Sequence, residues 1–172
     1  MKLKVFLAEA KLVQHELTGA NGLYASMIPD EDSVARILGI CEVLNLKPQV
    51  DELHVTVIYS KKAPDDLQAV QEIQAPTVDA YVTGISHWKG HDDATYIVLS
   101  LMSERLAELN AQYHAAGAEA TFIPYAPHVT LHKQDAPLDD EQLQRIEAFN
   151  KTLAAEFNKL TFVNLQAGDL DG

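Results

Sequence analysis

The chain has 172 residues, 47% of them hydrophobic and 22% charged, which suits one globular domain with a sizeable core. Its formal net charge of −12 repels a polyphosphate backbone, so long DNA or RNA is a poor partner, although a pocket with a few local donors could still hold a small phosphorylated ligand. No apolar run approaches the roughly 20 residues of a membrane helix. The opening MKLKVFLAEAKLV is interrupted by Glu9 and Lys11 where a secretory signal would be apolar, so a cytoplasmic protein without a membrane partner is expected. The single cysteine, Cys41, can form no internal disulfide and fits no cysteine metal motif, which leaves it a packing role.

Residues 1–13 alternate loosely and read as a strand, and HELTGANG follows as a turn with Gly19 and Asn21-Gly22 as breakers. LYASMI is a short strand. Pro29-Asp30 opens a helix, with Asp30 or Ser33 as cap and Val34, Ile37, Leu38, Cys41 and Leu44 on one face, ending before Pro48. LHVTVIYS is a strand, and residues 64–74 form a short helix or loop. Residues 77–88 and 95–101 form a hairpin around the turn at Lys89-Gly90-His91-Asp92. Ser103 caps a helix carrying Leu106, Leu109 and Tyr113 and ending at Gly117. Residues 128–133 form a strand, a helix runs from Asp139 or Asp140 to about Phe157, and a last strand covers 160–165. No linker or repeat array interrupts this order, so 1–172 is read as a single domain of the α+β class. Two pseudo-symmetric lobes of antiparallel strands with flanking helices are expected around a central cleft.

One short pattern occurs twice. LHVTV at 53–57 and PHVTL at 127–131 each place a histidine and a threonine two residues apart, flanked by apolar residues. On a strand this puts His54 with Thr56, and His128 with Thr130, on one face and the apolar residues on the other. A lone amphipathic strand with a surface histidine is ordinary. Two such matches arise by chance on the order of a few times in a thousand chains of this length. If the strands meet across a cleft, two imidazoles that titrate near pH 6.5 when unperturbed can divide base and acid roles. That division serves attack of a ribose 2′-hydroxyl on the neighbouring phosphodiester, with the threonine hydroxyls donating to the non-bridging oxygens. Neither a metal nor a cofactor is needed.

The pair of motifs resembles the two-histidine (2H) phosphoesterase superfamily, in which each of two lobes supplies one HxT strand. GLYASMIPDEDSVARIL followed by LHVTVIYSKK, the tryptophan in SHWKG and the proline before the second motif in YAPHVTLHK resemble its phage anti-CBASS nucleases. These destroy the cyclic di- and trinucleotide signals of bacterial immunity, and the likeness covers about residues 22–165. The resemblance implies a metal-independent phosphodiesterase acting on a small cyclic oligonucleotide in the host bacterial cytoplasm. It implies catalytic roles for His54, Thr56, His128 and Thr130, and nucleobase binding by Tyr24 and Trp88. Tyr59, just after the first motif, joins them as a substrate-binding candidate; Lys61, Lys62 and Lys133 either add positive potential beside the phosphate or, more simply, belong to solvated loops. That branch also carries a C-terminal lid with a glutamate and a tryptophan. This chain ends NLQAGDLDG without a tryptophan, which leaves Glu156, Asp169 and Asp171 as acidic candidates, and residues 1–20 are an N-terminal extension beyond the likeness.

Other histidines are weaker candidates. His128 and His132 lie about 13 Å apart along a strand, too far to share a zinc with bonds near 2.1 Å. His87, His91, Asp92 and Asp93 decorate a hairpin turn. Two other functions share the motifs or the aromatics: an RNA-end 2′,3′-cyclic phosphodiesterase of the same superfamily, and a module that sequesters a cyclic nucleotide without cutting it.

Overall fold

The computed structural model describes residues 17–153 and 158–170. The predicted strand at 1–13, and Glu156 and Asp171, lie outside these residues. Strand β1 spans Leu23–Pro29, and helix α1 (Glu31–Val43) follows at once. Asp30 caps α1 by accepting from the Ser33 amide at 2.8 Å, a bond worth about 1 kcal/mol at such positions. Ser33, the other cap candidate, is buried and uses its hydroxyl to accept from the Thr161 amide at 2.7 Å. Helix α1 ends because Asn45 takes φ 56°: its amide donates to Glu42 and that of Leu46 to Cys41, the two bonds of a Schellman cap. Val34, Ile37 and Cys41 are essentially inaccessible, and burial of a Val or Ile side chain contributes about 1.5–3 kcal/mol relative to exposure.

After one 3₁₀ turn at Val50–Glu52 comes β2 (Val55–Ser60), then a short helix, α2 (Leu67–Glu72). Strands β3 (Thr77–Lys89) and β4 (Thr95–Met102) form the predicted hairpin, closed by a bond from the Gly90 amide to the Ala94 carbonyl at 2.8 Å. Helix α3 (Glu104–Ala115) is capped by Ser103, whose hydroxyl accepts from Leu106 and donates to the carbonyl of Asp79 on β3. Strand β5 spans His128–Gln134, and helix α4 (Asp140–Thr152) starts at a capping box made by Asp139 and Gln142. Helix α4 ends at Thr152, and residues 154–157 of the predicted helix lie outside the described residues. Leu153 is already extended, and the Asn158 carbonyl accepts from Val82, so the chain has left the helix to enter the sheet. Strand β6 (Lys159–Gly168) reaches three residues past the predicted Leu165.

The six strands close into a ring in the order β1-β2-β5-β4-β3-β6, with every pairing antiparallel. Exchanging β1, β2 and β6 for β4, β5 and β3 leaves that order unchanged, so the ring is two similar lobes related by a pseudo-twofold. Each lobe contains a strand-helix-HVT strand unit, β1-α1-β2 and β4-α3-β5. The lobes meet at two seams of unequal strength. Strands β3 and β6 pair from Thr77 opposite Val163 to Tyr81 opposite Lys159, whereas β2 and β5 are joined at Val55 opposite Val129 alone. A seam held at one pair lets the strands splay on either side of it. Both HVT motifs sit at this seam.

Candidate active site

Leu53, Val55 and Val57 are buried in the core, as are Val129 and Leu131, so alternation turns His54, Thr56, His128 and Thr130 to the other face, where all four are half-buried. In an antiparallel pair with Val55 opposite Val129, Thr56 falls across from His128 and His54 across from Thr130. The seam therefore gathers both motifs into one group of four side chains.

The two imidazoles are held in the same way. His54 Nδ1 lies 2.6 Å from the Glu52 carbonyl and His128 Nδ1 lies 2.9 Å from the Ala126 carbonyl, in each case two residues earlier in the chain. A carbonyl oxygen only accepts, so each Nδ1 carries a proton and the basic lone pair of the neutral ring sits on Nε2. This repeat of tautomer in both motifs follows from local backbone geometry and is not encoded by the HVT residues themselves.

Beside the seam lies a cavity of about 740 Å³ lined by Thr56, Tyr59, Trp88, Tyr125, His128 and Thr130, among others. His54 and Tyr24 stand next to it without lining it. The Tyr24 hydroxyl is 3.3 Å from the Thr56 hydroxyl, and its ring meets His54 edge-on at 6.3 Å and Tyr59 edge-on at 6.2 Å. Burial raises the pKa of Tyr24, so its phenol stays protonated and able to donate. Trp88, 42% exposed, sets its ring edge-on to His128 at 5.1 Å. The seven catalytic and substrate-binding candidates thus surround one region.

Two of the lysines beside the motifs are paired with acids. Lys62 pairs with Asp65 at 3.5 Å and Glu119 at 3.3 Å, and Lys133 pairs with Asp92 at 2.8 Å. Their charge is answered locally, in part by acids distant in sequence. Lys133 and the Tyr96 hydroxyl together hold the Asp92 carboxyl down to about 2. Asp169, a candidate for a lid acid, is instead a clamp: it accepts from the amides of Thr18 and Gly19 at 3.0 and 3.1 Å and from the Thr18 hydroxyl. It ties the start of the described chain to the end of β6. His132 is engaged by Gln134 at 2.9 Å. Among the described residues, no group of three or more His, Cys, Asp or Glu side chains is arranged to hold a metal ion, and no helix is long and apolar enough to cross a membrane.

Sequence reasoning misses Phe122 and Tyr125, which line the cavity from the loop before β5, and treats His91 as turn decoration. The Tyr125 hydroxyl donates to the Thr56 carbonyl at 2.9 Å, which fixes this loop to the first motif strand. Their signal is present in TFIPYAP, where two aromatics and an isoleucine occupy a stretch whose prolines rule out an ordinary strand.

A family model described as anti-CBASS protein Acb1 matches residues 21–162. A protein described as anti-CBASS protein Acb1 from Vibrio phage KVP40 is 30% identical over 122 residues, covering 67% of this chain and 75% of that one. Among solved structures, E. coli LigT in apo form superposes with a TM-score of 0.52 at 14% identity, covering 86% of this chain and 85% of that one. TT0787 of Thermus thermophilus gives 0.53 at 15% identity, covering 85% and 83%. Usb1 of Kluyveromyces marxianus gives 0.51 at 15%, covering 87% and 94%. At such identities the likeness is one of fold. LigT has also been solved complexed with 3′-AMP and with NADP+.

Proposed function

The chain belongs to the anti-CBASS protein Acb1 family and has the 2H phosphoesterase fold, and on that premise we propose that it is a metal-independent phosphodiesterase that opens cyclic di- and trinucleotides at a 3′,5′ bond. The observation that supports this reading is the seam at Val55 and Val129, where both HVT motifs meet and Thr56, His128 and Thr130 line one cavity. In the proposed reaction one neutral imidazole takes the proton of a ribose 2′-hydroxyl through Nε2. The 2′-oxygen forms a bond to phosphorus as the bond to the departing 5′-oxygen breaks. The second imidazole, protonated, gives its proton to that oxygen.

The product of this step is a linear nucleotide with a 2′,3′-cyclic phosphate end. Water added by the same pair with roles exchanged converts it to a 3′-phosphate. Thr56 and Thr130 donate to the non-bridging oxygens, where charge accumulates in the transition state. Holding both Nδ1–H groups on carbonyls keeps each ring oriented and spares reorganisation during proton transfer. Tyr24, Tyr59 and Trp88 are the proposed nucleobase contacts, since aromatic faces accept any base. Pairing of Lys62 and Lys133 with acids suits a small substrate held by hydroxyls and imidazolium better than a long polyanion.

The test is incubation of purified protein with 3′,5′-linked cyclic dinucleotides in excess EDTA, with products resolved by ion exchange. Linear products from the wild type, abolished in His54→Ala and His128→Ala, are expected. Recovery of intact ligand after denaturing a wild-type complex would favour sequestration. Action on linear RNA 2′,3′-cyclic ends alone would move the activity to another branch of the superfamily.

A further inference from the structure

Phe122 is 58% exposed, although no helix or strand requires a phenylalanine there. Its loop is anchored to β2 on both sides: the Thr121 amide donates to the Tyr59 carbonyl at 2.9 Å, and the Tyr125 hydroxyl donates to the Thr56 carbonyl at 2.9 Å. An isolated bridge between Ser60 and Ala120 extends the anchor. The ring is therefore presented to the cavity from a fixed mount, as a recognition residue requires.

Aromatic rings flank it on both sides. Phe122 lies 6.0 Å from the Tyr59 ring on one side and is stacked with His91 at 6.2 Å and 27° on the other. Tyr59 in turn meets Tyr24, and Tyr24 meets His54. His91 belongs to the same hairpin as Trp88, which touches His128. A row of rings thus runs from one motif histidine, over the loop before β5, to the β3-β4 hairpin and back to the other motif histidine. A ligand with a single base, its phosphate at the motifs and its base at Tyr24 or Trp88, would leave the Phe122 section of this row unused. A cavity of about 740 Å³ falls within the roughly 300–1,000 Å³ of sites that engulf their ligand, so there is room for more than one base.

We infer that Phe122, backed by His91, is the stacking platform for a second nucleobase and so selects ligands carrying more than one base. This rests on the cyclic-oligonucleotide reading above and adds a specificity residue to it. The test uses the chain's single tryptophan, Trp88, whose place on the cavity makes its fluorescence a binding signal that does not depend on turnover. Wild type, Phe122→Ala and Phe122→Tyr are titrated by rapid mixing with 3′,5′-cyclic di-AMP and, as the single-base probe, 3′-AMP. Phe122→Ala is expected to weaken cyclic di-AMP binding by about 5- to 150-fold, the range that base-aromatic stacking spans, and to change 3′-AMP binding by less than about twofold. Phe122→Tyr is expected to stay close to wild type, and thermal unfolding of both variants should match it because the side chain is exposed. Equal losses for both probes, or no loss for either, would overturn the assignment. Wild type that binds 3′-AMP but not cyclic di-AMP would overturn the cyclic-oligonucleotide reading itself, and this inference with it.

Discussion

Val55 stands opposite Val129, and this one pair joins the two strands that carry the histidine-threonine motifs. Its position in the ladder decides which polar side chains become neighbours. A slip of one residue would exchange the faces and bury the imidazoles among the valines of the core.

Thr56 and Thr130 hold the same place in the two motifs, and both line the cavity that His128 lines. Thr56→Val and Thr130→Val keep shape and volume nearly constant while removing a hydroxyl. Each is expected to lower kcat by about 10²–10³-fold with a smaller change in KM, as loss of one oxyanion donor does. Tyr24→Phe should cost less than about tenfold, because the Tyr24 hydroxyl is bonded to Thr56 and acts through it. Steady-state kinetics on a cyclic dinucleotide check all three, and a loss confined to KM would contradict the transition-state role.

Two imidazoles in opposite protonation states give a rate that falls on both sides of an optimum. Wild-type kcat/KM is expected to be bell-shaped in pH. In the residual activity of His54→Gln or His128→Gln, one limb of the bell should disappear, and a different limb in each variant. A pH profile with the same two limbs in either variant would assign the titration to other groups.

Asp169 links acid stability to the clamp it forms. Burial works to raise its pKa, but the Thr18 hydroxyl and the amides of Thr18, Gly19 and Ala20 outweigh that and hold it below the ordinary 3.8. Because the folded value lies below the unfolded one, the carboxylate stabilises the native state above about pH 3.8, and that contribution is lost as pH falls through the folded value. Asp169→Asn is therefore expected to lower Tm at neutral pH, with the gap to wild type closing below about pH 3.8. A gap of constant size down to acid pH would show that the carboxylate charge is not what the clamp uses.

Much of this arrangement is legible in the chain itself. Asp30, Ser103 and Asp139 mark their helix starts through side-chain capping, a local effect, and the alternation around His54 and His128 fixes which face each presents. The ring closure is not legible, because pairing β1 with β6 or Val55 with Val129 is a tertiary choice that no short segment encodes. The same holds for charge: Lys62 finds Glu119 and Lys133 finds Asp92 only after folding, so lysines beside the motifs read from sequence as unopposed. Phe122 looks like an awkward loop residue until Tyr125 and Thr121 are seen to fasten its loop to β2.

The central claim is that His54 and His128 serve one phosphate as a unit, and a double-variant cycle tests it most directly. Single-turnover rates on a cyclic dinucleotide in EDTA would be compared for wild type, His54→Ala, His128→Ala and the double variant. Each single substitution is expected to cost at least about 10²–10⁴-fold, and the double variant no more than about tenfold beyond either, because removing one member of a cooperating pair already disables the other. Losses that multiply in the double variant, or one histidine variant that retains wild-type rate, would contradict the claim.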